Sequence, residues 1–194
     1  MIPELNGYSG KAIYLDSDMQ VFFDIVDLWD RDLSDADIFS TWLDNESMRL
    51  PQFSVMLMDC NKLTWSVGDI VKGLDDGLYS YEQLMAEMIV AKCEPAIEPS
   101  WNSLESYKSG ETKLLHYTDM NTQPWLSRKN PLRDIWVGDL KGAIADGFVE
   151  EREIVDSILK GEIRPSIYFE LHEGRCVAGL RWLLSGLVDR FFIP

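Results

Sequence analysis

Ala12-Ile13-Tyr14-Leu15-Asp16-Ser17-Asp18-Met19 is an apolar run that stops on two carboxylates one residue apart. Ala12 to Leu15 carries no charge and two β-favouring residues, so it reads as a short buried strand. Asp16 and Asp18 then stand at the strand's C-terminal end, where open α/β sheets place their ligands. Carboxylates this close repel each other, and a hard divalent cation with oxygen ligands relieves the repulsion. Such a cation would clamp a diphosphate. A lone D-x-D is more commonly a pair of turn aspartates, so the motif needs support from the rest of the chain.

The chain has 194 residues, which suits one domain or one domain with a small appendage. It is 46% hydrophobic and 11% aromatic, a globular composition. Acids outnumber bases 33 to 18, for a net charge of −15. That argues against a nucleic-acid partner, whose phosphates require basic surface. Cys60, Cys93 and Cys176 are odd in number, widely spaced and without a C-x-x-C pair. They read as reduced thiols of a cytoplasmic protein and not as zinc ligands. The opening ten residues have no signal-peptide pattern, and no apolar run reaches the roughly 18 residues of a membrane span.

Asp24 to Trp29 reads as a short helix, and residues 30–50 as loop and short strands. Phe53 to Cys60 reads as a second buried strand ending at Asp59 and Cys60. Lys62 to Lys72 and Tyr81 to Ala91 show helical apolar spacing, the second through Leu84, Met85, Met88 and Ile89. Lys113 to Thr118 is a third short apolar strand, ending near His116. Residues 121–131, with Pro124 and Pro131, are irregular. Leu132 to Asp146, Glu150 to Lys160 and Val177 to Ile193 read as helices, the second stopped by Gly161. The last is amphipathic and suits core packing, a subunit interface or, less well, peripheral membrane contact. If the three strands are sheet neighbours, Asp16 and Asp18, Asp59 and Cys60, and His116 meet along one edge. Two aspartates and a neutral imidazole make a manganese or magnesium site with positions left for phosphate oxygens.

With these elements in place, the chain resembles the retaining enzymes of glycosyltransferase family eight, the glycogenin and lipopolysaccharide galactosyltransferase relatives. Four segments carry the resemblance, in order, over residues 11–125. They are Tyr14-Leu15-Asp16-Ser17-Asp18-Met19, Gln52-Phe53-Ser54-Val55-Met56-Leu57-Met58, Tyr81-Glu82-Gln83, and His116-Tyr117 running to Gln123-Pro124-Trp125. The resemblance implies an α/β domain with the GT-A type of nucleotide-diphospho-sugar transferase fold, a mixed sheet flanked by helices. It implies a partial catalytic core over residues 1–130 and a helical region over 131–194. The implied activity is metal-dependent transfer of a sugar, with retention, from a nucleotide-diphosphate donor (uridine-linked) to a glycan, protein or lipid. Asp16, Asp18 and His116 would bind manganese or magnesium. Ser17, Gln52, Ser54, Gln123 and Trp125 would contact the donor, and Glu82 or Gln83 would lie near the reacting carbon.

The chain departs from the family pattern in informative ways. Gln52 and Ser54 stand for the family's Asn and Gly, Glu82 for Asp, and Gln123 for a diphosphate-gripping lysine. Lys113, Arg128 or Lys129 are the nearest sources of a replacement charge. Only 15 residues precede Asp16, where the family has a further βαβ region for base and ribose. The reading is therefore of an N-terminally shortened domain whose bare sheet edge favours a homo-oligomer. Two other readings remain. One is an inactive fragment or interaction subunit of such an enzyme. The other is a phosphatase of the haloacid-dehalogenase type, with Asp16 as nucleophile.

Overall fold

In the computed structural model, which describes residues 1–45, 48–88 and 92–172, a short helix α1 (Ile2–Leu5) leads into β1 (Lys11–Leu15). A turn through Ser17 and Asp18 reaches β2 (Met19–Val21), followed by α2 (Val26–Trp29). β3 (Ile38–Asn45) and β4 (Met48–Asp59) are an antiparallel pair. After α3 (Val67–Asp75) and α4 (Tyr81–Glu87) come β5 (Cys93–Ile97), a 3-10 turn at Pro99–Trp101, β6 (Ser103–Leu104) and β7 (Leu114–His116). Three helices close the described chain: α5 (Arg133–Ala145), α6 (Glu151–Leu159) and α7 (Ser166–Leu171). The strands form a four-stranded sheet, ordered β1-β4-β3-β5, and a three-stranded sheet, ordered β2-β7-β6. Both are mixed: β5 runs parallel to β3, and β6 parallel to β7. The expected mixed α/β architecture with helices flanking the sheets is the one observed.

Side-chain alternation explains why Ala12–Leu15 in β1 and Val55–Met58 in β4 are apolar without a break. Ile13 and Leu15 pack with Val55 and Leu57 on one face, against Leu28, Phe39, Ile97, Trp101 and Leu114. Ala12 and Tyr14 lie on the other face with Met56, Met58, Ile38 and Leu63. A strand covered on both faces loses the polar half of its period-2 pattern and reads as a continuous apolar run.

The strand directions correct one expectation. β1 and β4 are antiparallel, with Lys11 opposite Asp59 and Leu15 opposite Val55. Asp59 and Cys60 therefore lie at the far end of the sheet from Asp16 and do not join Asp18 and His116. Residues 30–50 also differ from the loop-and-short-strand reading, because β3 is eight residues long. Its acidic flank and its polar Ser40 and Thr41, both fully buried, disguise it. The register shifts between these two residues, a bulge that re-aims the strand.

α5 and α6 keep within a residue of their expected bounds, whereas α3 begins at Val67, five residues after the expected Lys62. Ser66 and Ser80 cap α3 and α4 by accepting from Asp69 N–H and Gln83 N–H. Met88, expected inside a longer helix, adopts the left-handed conformation that ends α4. Gly161 stops α6 with φ of +76°. The helix expected over Val177 to Ile193 lies outside the described residues. Among the described residues no helix is long and apolar enough to cross a membrane.

Residues 1–116 make one compact unit, and the described residues from Tyr117 onward belong to a second. The second unit is organised by Arg164, whose side chain is fully buried. Its guanidinium donates to Glu170 Oε1 and Oε2 at 2.6 and 2.8 Å and, through Nε, to the Pro124 carbonyl at 3.0 Å. Its amide donates to the Trp125 carbonyl at 2.8 Å. One buried cation thus ties α7 to the 124–125 loop.

Leu57 is fully buried in the first unit's core. Leu57→Ala should cost about 3 kcal/mol and lower the melting temperature by on the order of 10 °C. Exposed Val71→Ala should leave it within a degree or two. A calorimetric scan checks both, and a Leu57→Ala change as small as that of Val71→Ala would refute the core assignment.

Candidate metal centre

Two strand pairings assemble the centre. The Asp16 amide donates to the Ser54 carbonyl at 3.2 Å, continuing the β1–β4 ladder past Leu15 and holding Asp16 at the sheet's end. Asp18 follows in the turn before β2. β2 then pairs with β7 so that Met19 lies opposite His116. The register delivers a histidine from about a hundred residues away to the aspartate beside Met19. His116 Nε2 sits 3.2 Å from Asp18 Oδ1 and 3.8 Å from Asp16 Oδ2. One ligand atom from each of the three residues falls within 4.8 Å of the others.

A buried hydrogen-bond chain fixes which nitrogen of His116 faces the carboxylates. The Thr41 hydroxyl donates to the Gln52 carbonyl at 3.1 Å. Its oxygen then accepts from Asn102 Nδ2 at 3.5 Å. This leaves Asn102 Oδ1 to accept from His116 Nδ1–H at 2.9 Å. With the proton on Nδ1, Nε2 points its lone pair at Asp16 and Asp18. A lone pair facing two carboxylates is unfavourable unless a positive charge stands between them, either a proton on Nε2 or a cation. The two-oxygen, one-nitrogen donor set fits manganese or magnesium, and the outer hydrogen bonds are those that orient a ligating imidazole.

Asp16 is oriented from its other side. The Tyr14 hydroxyl donates to Asp16 Oδ1 at 2.5 Å. This bond, then partial burial and the charges of Asp16 and Asp18, push the Tyr14 pKa up to about 12 from 10.0. The neutral phenol is favoured by the fold. Its stabilising contribution is full below pH 10 and is lost as pH rises through about 12.

The other residues marked by sequence fall in several places. Ser17 is exposed in the turn. Gln52 offers its backbone carbonyl to Thr41, and Ser54 its carbonyl to Asp16. Ser54 also lines an apolar groove of about 500 Å³ with Tyr14, Asp16, Phe53, Trp65 and Met85. Gln83 is engaged in a capping box with Ser80, accepting from Ser80 N–H at 2.9 Å. The backbone amide at the helix start, then the Ser80 hydroxyl, hold the Glu82 carboxyl below its usual range. Gln123 and Trp125 belong to the second unit. Gln123 is buried and donates to the Tyr117 carbonyl at 3.0 Å. Trp125 packs edge-on against Tyr117, with ring centroids 5.7 Å apart. Lys113 lies over the Trp101 ring.

Tyr14, Thr41 and Asn102 orient the cluster through hydrogen bonds, a part the sequence reading gave to none of them. Asn102 suggests an acceptor contact or a turn residue, yet it is buried and joined to His116 and Thr41. Tyr14 carried a usable signal. It shares a strand face with Ala12 and stands two residues before Asp16, within reach of that carboxylate.

No protein-family model matches this chain, and no curated protein matches it in sequence. Solved structures do. The glycosyltransferase GlyE of Streptococcus pneumoniae TIGR4 is 20% identical with a TM-score of 0.51, over 70% of this chain and 40% of that one. The galactosyltransferase LgtC, solved with donor and acceptor sugar analogues, is 14% identical with a TM-score of 0.47, over 66% of this chain and 60% of that one. This chain therefore spans less than two thirds of either protein. The likeness to GlyE is one of fold, and the fold is that of a glycosyltransferase of the GT-A kind.

Tyr14→Phe should weaken manganese binding by about tenfold or more, the usual cost of losing an outer hydrogen bond to a ligand. Asn102→Ala should do the same and also lower the melting temperature, because it strands the buried Thr41 and His116 groups. Calorimetric manganese titration with circular dichroism separates the two effects. Unchanged affinity in a folded Tyr14→Phe protein would show that the phenol does not orient a ligand.

Proposed function

We propose that this chain carries the metal-binding part of a glycosyltransferase that moves a sugar from a nucleotide-diphosphate donor, uridine-linked, to a glycan, protein or lipid acceptor. The observation that carries the reading is the Asp16, Asp18 and His116 cluster at the end of β1, in a fold shared with GlyE. Asp16, Asp18 and His116 would hold manganese or magnesium. The cation's chemistry there is to neutralise the charge that builds on a leaving diphosphate.

The chain's own residues supply the positioning. Tyr14 and the Thr41–Asn102 pair hold the carboxylate and imidazole in place before any ligand arrives, so no reorganisation is needed on binding. Ser17, Gln52 and Ser54 lie on the turn and strand that surround the cluster, where the resemblance puts donor contacts. Glu82 and Gln83 open α4, and their proposed place is near the reacting carbon. That requires the capping box to open, or Glu82 alone to act. The proposed contribution of Gln123 and Trp125 to the donor is indirect, through the loop they pack. Retention of configuration follows the family resemblance.

The phosphatase alternative asks Asp16 to be a nucleophile. Asp16 Oδ1 already accepts from Tyr14, and Oδ2 faces His116. Both oxygens are engaged as an oriented ligand's are, which favours the metal role.

Calorimetric titration of uridine diphosphate, with manganese and then with chelator, tests the proposal. The expected result is binding that requires manganese and is lost in Asp18→Ala and His116→Ala. Binding that ignores manganese, or a His116→Ala protein with full manganese affinity, would overturn it.

A further inference from the structure

The apolar groove of the first unit has walls that the metal chemistry does not use. Its volume is about 500 Å³, and Met56, Met58, Met85, Met88, Phe53 and Trp65 supply most of its surface. Tyr14 and Asp16 line it too. Asp16 is also a member of the candidate metal cluster, with Oδ1 held by the Tyr14 hydroxyl and Oδ2 3.8 Å from His116 Nε2. The groove and the cluster therefore share a wall, and a molecule lying in the groove reaches Asp16. On another side stands α4. None of its seven residues is buried, and Met85 is 52% exposed. So short a helix depends on tertiary packing, and here its apolar side borders a cavity in place of a filled core.

Charge and polar content decide what the groove can take. Among the described residues that line it, Asp16 carries the one charged side chain. No cationic side chain stands there to meet a phosphate, so the anionic part of a donor is disfavoured in the groove. The other polar side-chain groups are the Tyr14 hydroxyl, already given to Asp16, the Ser54 hydroxyl and the Trp65 indole N–H. A glycan or a peptide would bring many hydroxyls or backbone amides to walls that answer few of them, and each unanswered buried group is costly. A hydrocarbon chain brings none. Flexible, polarisable thioethers also mould themselves to an irregular apolar guest. Small-molecule sites of about 300–1,000 Å³ have this make-up, mostly apolar walls with a few polar groups at one place.

We infer that the groove holds the hydrocarbon chain of a lipid acceptor, with the acceptor's hydroxyl end beside Asp16 and its chain among Met56, Met58, Trp65 and Met85. This acceptor class rests on the transfer reading proposed above. In that reaction the acceptor's hydroxyl oxygen bonds to the sugar's anomeric carbon. The bond from that carbon to the diphosphate oxygen breaks, and the hydroxyl proton passes to the diphosphate. Each methylene taken into the groove leaves water and adds affinity. A chain lying against Met85 and Met88 also gives α4 a packed side. Glu82 and Gln83 stand in the first turn of α4, so the acceptor chain steadies the helix that carries them.

Calorimetric titration of 1-butanol, 1-hexanol and 1-octanol into the whole chain is the test. The expected result is binding that needs neither manganese nor nucleotide and tightens about fourfold for each added methylene. Met85→Gln keeps a good helix former at an exposed position and should weaken octanol binding about fivefold. Met120→Gln changes a methionine of the second unit that is 74% exposed, and should leave octanol binding as it is. The melting temperature checks that both variants are folded. In manganese-loaded protein the hydroxyl-end protons of bound octanol should broaden more than its terminal methyl, and the reverse order would overturn the acceptor role. No octanol binding at millimolar concentration, affinity that ignores chain length, or full affinity in Met85→Gln would overturn the inference. Displacement of octanol by maltotriose or by a trileucine peptide at equal concentration would assign the groove to a glycan or a protein and overturn the lipid assignment. Manganese-dependent binding of uridine diphosphate without octanol binding overturns this inference alone. Octanol binding without manganese-dependent uridine diphosphate binding overturns the transfer reading, and the acceptor role with it.

Discussion

His116 presents Nε2 to Asp16 and Asp18 because its Nδ1–H is held by Asn102, and Asn102 is held by Thr41. The Thr41 hydroxyl has already given its proton to the Gln52 carbonyl, so each link in the chain has one possible direction. Thr41, Asn102 and His116 are buried, where an unmade hydrogen bond costs most, and no link can be turned without leaving another unsatisfied. The relay joins β3, β4, the turn before β6, and β7. The candidate metal centre is thus anchored to both sheets of the first unit, and its imidazole tautomer follows from the fold.

That anchoring also explains why polar residues interrupt the core. Ser40 and Thr41 are fully buried in β3, at a bulge, in a sheet otherwise filled by Ile38, Val55, Met56, Leu57 and Met58. A uniformly apolar strand would pack as well and would take from the Asn102 amide nitrogen its Thr41 acceptor. Tyr14 plays the matching part for Asp16. Its ring packs with the second apolar cluster while its hydroxyl reaches the carboxylate. Packing and site geometry are set by the same side chains.

The second unit uses charge in place of apolar bulk. Removing a guanidinium and a carboxylate from water is costly, and Arg164 and Glu170 recover that cost only through a full set of partners. They have one: two fork contacts, the Pro124 carbonyl, and the Ser166 hydroxyl. Gln123 and Trp125, which the sequence marks as donor contacts, support this arrangement from the same loop through Tyr117. The Gln in place of a lysine is buried and makes a neutral hydrogen bond, a place where an ammonium group would be strongly disfavoured.

The sequence by itself determined the apolar strands, the acid pair at the end of β1, and the helical spacing of α5 and α6. These are local signals, carried by side-chain period and by residue types with strong backbone preferences. It also marked His116 as the third member of the cluster through the pattern that follows it. Tertiary structure alone decided how the strands run. An apolar strand ending on an acid reads the same in either direction, so Asp59 looked like a companion of Asp16 until antiparallel pairing set it opposite Lys11. The roles of Thr41 and Asn102 were equally hidden. A contact across 14 or 61 positions depends on register between strands, and no local preference encodes that.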